Sequence, residues 1–102
     1  MSMLHIVNKS PFERTAFESC LKHISVGDFV LMIEDAVVGS VQNTRFSAQV
    51  EQALKESSIY VLSADLAARG LGQERVIGGV TVVDYEGFVD LTVECDTTQS
   101  WL

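Results

Sequence analysis

Residues 4–33, LHIVNKSPFERTAFESCLKHISVGDFVLMI, decide the fold because they contain one complete strand–helix–strand unit. Residues 4–7 and 29–33 are short, mainly apolar runs, and the second has no polar residue, as expected for a strand buried on both faces. Between them lies a segment whose apolar residues recur with helical spacing. A strand, a helix and a second strand in this order predict a βαβ unit and therefore a parallel sheet.

The helix of this unit is predicted to begin at Ser10. Ser10 and Glu13 have the spacing of a capping box, and Pro11 occupies the first helical position, where the missing N–H costs nothing. The apolar stripe of the helix has the spacing i, i+3, i+4 and i+7 and consists of Phe17, Cys20, Leu21 and Ile24. Gly27 is expected to end the helix.

The same alternation continues along the rest of the chain. Strands are predicted at residues 59–62 and 80–83, with a further edge strand in the tail 98–102. Helices are predicted at residues 36–41, 46–55 and 63–69. A last helix should follow Asp84, a good N-cap residue, with its apolar stripe formed by Phe88, Leu91, Thr92 and Cys95. No linker or repeat interrupts the pattern, so residues 1–102 are predicted to form one α/β domain.

The charge and the apolar pattern exclude several classes of function. The net charge is −7, from 14 acidic residues against 7 Lys and Arg that are scattered singly, so direct binding of nucleic acid is not expected. No apolar run approaches the roughly 20 residues that span a membrane. The N-terminus lacks the pattern of a secretory signal. These features predict a cytoplasmic protein with no membrane contact.

Neither a metal nor a cofactor is expected. Four acids, Glu34, Asp35, Asp65 and Asp84, should lie at the carboxyl ends of the strands, where parallel sheets form their sites and where carboxylates could hold Mg²⁺. Helix capping and the favourable position of acids in first helical turns explain these residues better. The glycines after residue 69 match no phosphate-binding motif, and the two cysteines have no zinc-like spacing.

Cys20 and His23 are the one pair with the spacing of an activated nucleophile, because i and i+3 are neighbours on a helix. A nearby imidazolium would lower the pKa of the thiol and increase the reactive thiolate fraction. Two features oppose activation. Cys20 lies within the apolar stripe, where burial disfavours an anion, and near the helix C-terminus, where the macrodipole does the same.

Trp101 is expected either to pack against its own domain or to contact a partner, because terminal residues fray unless they are held. His5, in the first strand, is expected to be a core imidazole or one that bonds to a cap.

The sequence resembles the DsrH/TusB family of small sulfur-relay proteins along nearly its whole length. The matching stretches are Met3-Leu4-His5, Lys9-Ser10-Pro11, Glu34-Asp35, residues 61–71, residues 83–92 and Trp101. None of these is a catalytic signature, but their order and spacing together are specific. The segment around Cys20 and the ending 94–102 are closest to the DsrH branch, whereas TusB-type members commonly lack a cysteine at the position of Cys20.

This resemblance implies a small flavodoxin-like α/β fold and a role within a complex. Family members form a heterohexamer with DsrE/TusD-like and DsrF/TusC-like subunits, and the complex passes persulfide sulfur to a small carrier protein. The sulfur serves intracellular sulfur oxidation in one branch and 2-thiolation of the tRNA wobble uridine in the other. The principal sulfur-accepting cysteine belongs to the DsrE/TusD-like subunit, so this chain would be a component of a sulfurtransferase without being its main catalytic subunit.

Three hypotheses remain open from the sequence. In the first, Cys20 carries a persulfide and His23 modulates it. In the second, Cys20 is a buried core residue and the chain serves assembly. In the third, the chain is a stand-alone small-molecule or metal-binding domain on the same scaffold, since a fold alone does not determine function.

Overall fold

A computed structural model describes residues 2–13 and 15–101, and in them strands and helices alternate as predicted. The strands are β1 Met3–Val7, β2 Phe29–Met32, β3 Ser58–Leu62, β4 Thr81–Val83 and β5 Thr97–Trp101. The α-helices within these residues are α1 Ala16–His23, α2 Ser47–Ala53, α3 Ser63–Ala68 and α4 Tyr85–Glu94. Short 3-10 segments cover Glu34–Ser40 and Gln73–Arg75. No helix in the described ranges has the length and apolar character needed to cross a bilayer.

The strands form one parallel sheet in the order β4-β3-β2-β1-β5. The predicted architecture, a single domain with a parallel sheet flanked by helices, is therefore confirmed. The strand order, which the sequence left open, reverses at β1. After β1 the chain adds β2, β3 and β4 on one side, and it returns at its end to place β5 on the other. Val7 of β1 thus lies between Met32 and Trp101.

The predicted start of the first helix is wrong. The hydroxyl of Ser10 accepts a hydrogen bond from the backbone N–H of Phe12 (3.2 Å), and the N–H of Glu13 donates to the carbonyl of Ser10 (3.1 Å). These bonds close a turn, and α1 begins only at Ala16. A serine side chain bonds locally in a turn as readily as it caps a helix, so the capping-box spacing did not specify which of the two forms.

The two faces of the sheet are covered unequally. On one face α1, α2, α3 and the 3-10 segment Glu34–Ser40 pack over a large apolar cluster that includes Phe17, Cys20 and Met32. On the other face α4 covers a smaller cluster of four buried residues, Leu4, Leu31, Leu91 and Cys95. Alternation along β1 explains this division, because successive side chains of a strand point to opposite faces. His5 and Val7 therefore face α1, and Leu4 faces α4.

Helix α4 begins as predicted. The carboxylate of Asp84 accepts a hydrogen bond from the N–H of Gly87 (2.9 Å), which is the expected N-cap contact. Leu91 and Cys95 are buried as the apolar stripe required, but Thr92 is exposed and its hydroxyl donates to the carbonyl of Val89. Thr92 is therefore not part of the stripe.

Candidate functional site

Cys20 lies inside the core. Its side chain is fully buried in the cluster between α1 and the sheet, and burial raises the pKa of its thiol to about 12, with the charge of Asp28 raising it further. Because a thiolate is the form that accepts or transfers sulfur, the thiol is in its unreactive form at neutral pH in this conformation. The electrostatic surroundings therefore match those of a structural cysteine.

The structure does not bring His23 to this thiol. The ring of His23 is exposed, and its Nδ1–H donates to the backbone carbonyl of Ser19 (2.7 Å). Within the described residues no hydrogen bond links the ring to Cys20. The ring instead lies beside the indole of Trp101, with 5.7 Å between ring centroids. The i, i+3 spacing correctly places both residues on α1, but it does not make them a hydrogen-bonded pair.

Two hydrogen bonds link three side chains, one from β5, one from β1 and one from the residue immediately before β2. Nε1–H of Trp101 donates to Nδ1 of His5 (3.0 Å), and Nε2 of His5 lies 2.9 Å from a carboxylate oxygen of Asp28. An indole nitrogen can only donate, so Nδ1 of His5 must accept. The imidazole hydrogen therefore sits on Nε2 and is donated to Asp28. These two hydrogen bonds select one tautomer of the His5 ring and connect the ring to both Trp101 and Asp28.

Asp28 binds more than the imidazole. Its carboxylate also accepts from the backbone N–H groups of Ser25 (3.0 Å) and Met3 (3.2 Å). Burial by itself raises the pKa of this carboxyl, but the hydrogen bonds from Ser25, His5 and Met3 outweigh burial, and the net pKa is lowered from its ordinary value. Asp28 is therefore an ionised acceptor that joins the start of β1, the start of β2 and the ring of His5.

The sequence did not single out Asp28. It identified His5 and Trp101 separately and expected Trp101 to pack against either its own domain or a partner. The first alternative is found, because Trp101 packs against the main cluster. The role of Asp28 follows from the parallel register of β1 and β2, which places the residue before β2 beside the start of β1. That register depends on tertiary pairing and is not visible in one strand alone.

The acids at the carboxyl edge of the sheet have structural partners. Asp35 pairs with the guanidinium of Arg69 (2.7 Å), and Asp65 accepts from the N–H of Glu34 (2.7 Å). Glu34 has a positive φ of 51°, a conformation in which its backbone N–H points at Asp65. Within residues 2–13 and 15–101, no group of three or more His, Cys, Asp or Glu side chains could hold a metal ion. The contacts of these acids are those of turns, caps and surface ion pairs.

Two surface depressions lie beside α2. A groove of about 440 Å³ separates α1 from α2, with Leu21, Ile24 and Ala53 among its apolar lining residues. A second depression of about 490 Å³ lies between the N-terminal half of α2 and Ile77. Neither is lined by Cys20, so neither gives a small sulfur donor direct access to the thiol.

Burial predicts how the cysteines react. At pH 7.5 we expect iodoacetamide to alkylate native Cys20 at least about 100-fold more slowly than in urea, because almost no thiolate is present and the thiol is enclosed. Cys95 is also buried, and burial and then Glu94 raise the pKa of its thiol, so it should react slowly as well. Mass spectrometry of Cys20→Ser and Cys95→Ser proteins separates the two rates. Equal rates for native and denatured Cys20 would contradict the buried position.

A family model described as DsrH like protein matches residues 9–98. Protein TusB from Escherichia coli O1:K1 is 34% identical over 99 residues, which cover 97% of this chain and all of that protein. Protein TusB from Shigella flexneri is 33% identical with the same coverage.

Two solved structures share the fold. The ychN protein from E. coli superposes with a TM-score of 0.77 at 14% identity, over 98% of this chain and 99% of that chain. A protein of unknown function from Methanobacterium thermoautotrophicum superposes with a TM-score of 0.76 at 18% identity, over 97% and 96% of the two chains. At these identities the superpositions concern the fold alone.

Proposed function

This chain belongs to the DsrH-like protein family, and on that premise we propose that it is an assembly subunit of a sulfur-relay complex. Its partners would be a DsrE/TusD-like and a DsrF/TusC-like subunit in a heterohexamer. The complex would pass persulfide sulfur to a small carrier protein, either for sulfur oxidation or for thiolation of the tRNA wobble uridine.

The burial of Cys20 carries the assignment of an assembly role. A persulfide acceptor must present a thiolate to an incoming donor, whereas Cys20 is enclosed and its pKa is raised to about 12. The chain would then provide binding surfaces for the assembly of the complex, and the sulfur chemistry would take place on a sister subunit. Sulfur transfer through Cys20, with His23 as its modulator, stays a prediction that requires α1 to move away from the sheet.

The stand-alone alternative would depend on the groove between α1 and α2. The volume of that groove suits a small ligand, but none of its polar lining side chains is buried. Small-molecule sites usually combine an apolar pocket with a few fixed polar groups that orient the ligand. The groove therefore supports this alternative less well than the family relationship supports a subunit role.

Reconstitution with the sister subunits tests the proposal. We expect this chain and its DsrE/TusD-like and DsrF/TusC-like partners from the same genome to co-elute as one complex at micromolar concentration. We also expect the Cys20→Ser complex to transfer ³⁵S-labelled sulfur to the carrier protein at the wild-type rate, since the variant changes only a core atom. Absence of a complex would refute the subunit role. A complex that forms with Cys20→Ser but no longer transfers sulfur would instead assign the persulfide to Cys20.

A further inference from the structure

Helix α4 carries an apolar stripe on the side that faces away from the sheet. Tyr85, Val89 and Val93 follow one another at i, i+4 and i+8 and therefore lie in one row. Their exposed fractions are 61%, 59% and 79%. Phe88, Leu91 and Cys95 already provide the contacts of α4 with the sheet. The outer stripe belongs to neither apolar cluster of the described residues, and an uncovered row of three large apolar side chains marks an interaction surface.

A row of acids runs beside this stripe. Glu86, Asp90 and Glu94 have the same i, i+4, i+8 spacing, displaced by one residue, and all three are exposed. None of the three forms an ion pair with another described residue. The outer face of α4 is therefore divided lengthwise into an apolar half and an acidic half, which we call the α4 surface.

The sheet beneath α4 also lacks a full cover. Besides Phe88 of α4, five apolar side chains on this side are only partly buried, namely Ile6, Phe29, Ile33, Tyr60 and Val83. Parallel sheets normally have both faces covered by helices. Among the described helices, α4 alone covers this face, whereas α1, α2 and α3 cover the opposite face. The α4 surface and the partly covered sheet lie on the same side of the molecule, so a partner docked there would complete the missing layer.

We propose that the α4 surface binds a sister subunit. The complementary surface of that subunit would be an apolar patch that is bordered on one side by Lys or Arg. This proposal rests on the proposed function and specifies which face of the chain assembles. Charge selects the occupant. A second copy of the chain, with a net charge of −7, would bring another acidic row to the interface, and like charges in close contact oppose association. A membrane surface is disfavoured for the same reason, because anionic headgroups repel the acidic half.

Introducing charged side chains into the apolar row tests whether this row contacts the partner. We expect the double variant Val89→Glu, Val93→Glu to bind the sister subunits at least about 100-fold more weakly than wild type, measured by sedimentation or calorimetry, because central apolar contacts dominate interface energies. Val26→Glu is the matched control: Val26 is 75% exposed but lies in the loop after α1, and binding should not change. Because the substituted residues are exposed, circular dichroism should show native folding in each variant.

Neutralising the acids tests the charge complementarity. The triple variant Glu86→Gln, Asp90→Asn, Glu94→Gln should associate about 10-fold more slowly at low salt, and its rate should depend less on NaCl concentration than the wild-type rate. Wild-type binding by the Val89→Glu, Val93→Glu protein would overturn the α4 surface while leaving the subunit role intact. Failure of the wild-type chain to bind would refute the subunit role itself. A homodimer of wild type that the double variant loses would identify a second copy as the occupant and overturn the choice of partner.

Discussion

Asp28→Ala is expected to lower the free energy of unfolding by about 3 kcal/mol, because removing one member of a buried hydrogen-bonded set leaves the others unpaired. The substitution removes the acceptor of two backbone N–H groups, those of Met3 and Ser25, and of the His5 ring. Urea titration followed by circular dichroism measures the change. Asp35→Ala is the control: its pair with Arg69 is exposed, so its loss should cost less than about 1 kcal/mol.

The contribution of Asp28 should also depend on pH, in a known direction. Its pKa in the folded protein lies below the ordinary value of 3.8, so the carboxylate binds fewer protons in the folded chain than in the unfolded chain around that pH. The stabilisation is fully present above the ordinary value and is lost as pH falls through the folded pKa. The difference in stability between wild type and Asp28→Asn should therefore shrink on acidification below about pH 4. A difference that stayed constant down to pH 2 would show that ionisation of Asp28 is not the source.

Trp101→Ala is the second substitution with a large expected effect, about 2–3 kcal/mol, since truncating a packed aromatic side chain removes its contacts with the core. It also leaves Nδ1 of His5 without its donor and removes the ring that lies beside His23. Trp101→Phe keeps a ring but not the N–H, so we expect a cost of about 1 kcal/mol, close to that of one hydrogen bond.

The two substitutions separate packing from hydrogen bonding. Trp101 is the only tryptophan, so unfolding of the variants must be followed by circular dichroism and not by intrinsic fluorescence. Equal stability of the Ala and wild-type proteins would mean that the indole is not anchored on β1. Deletion of the last two residues should have an effect similar to that of Trp101→Ala. Leu102, the other residue removed, lies outside the described residues.

The sequence predicted correctly those helices and strands whose patterns depend only on residues near one another in the chain. The unbroken apolar run of β2 and the capping aspartate of α4 are examples, because each depends on residues within one element. The start of α1 was predicted wrongly, since Ser10 can close a turn or cap a helix and the local sequence does not decide between them. The strand order was not predictable for a related reason, because it depends on pairing between residues far apart in the chain.

The candidate site shows the same limit. Spacing placed Cys20 and His23 on one helix, and the apolar stripe correctly indicated that Cys20 faces inwards. Spacing could not show that His23 would bond to the backbone of its own helix. Nor could it show that His5, Asp28 and Trp101 would meet, since His5 and Trp101 are 96 residues apart. For α4 the sequence analysis identified only the inner stripe, and the exposed row of the α4 surface was found in the folded structure.

The position of β5 has a consequence for the order in which the chain can fold during synthesis. N-terminal segments emerge from the ribosome first, yet β1 receives its second neighbour from β5, the last of the described strands in chain order. Until residues 97–101 are free, the first strand is an open edge that can pair with other nascent chains. Closing a contact over nearly the whole length of the chain is also slow. The sheet can therefore be completed only after residues 97–101 have emerged from the ribosome, and chains truncated before β5 should aggregate.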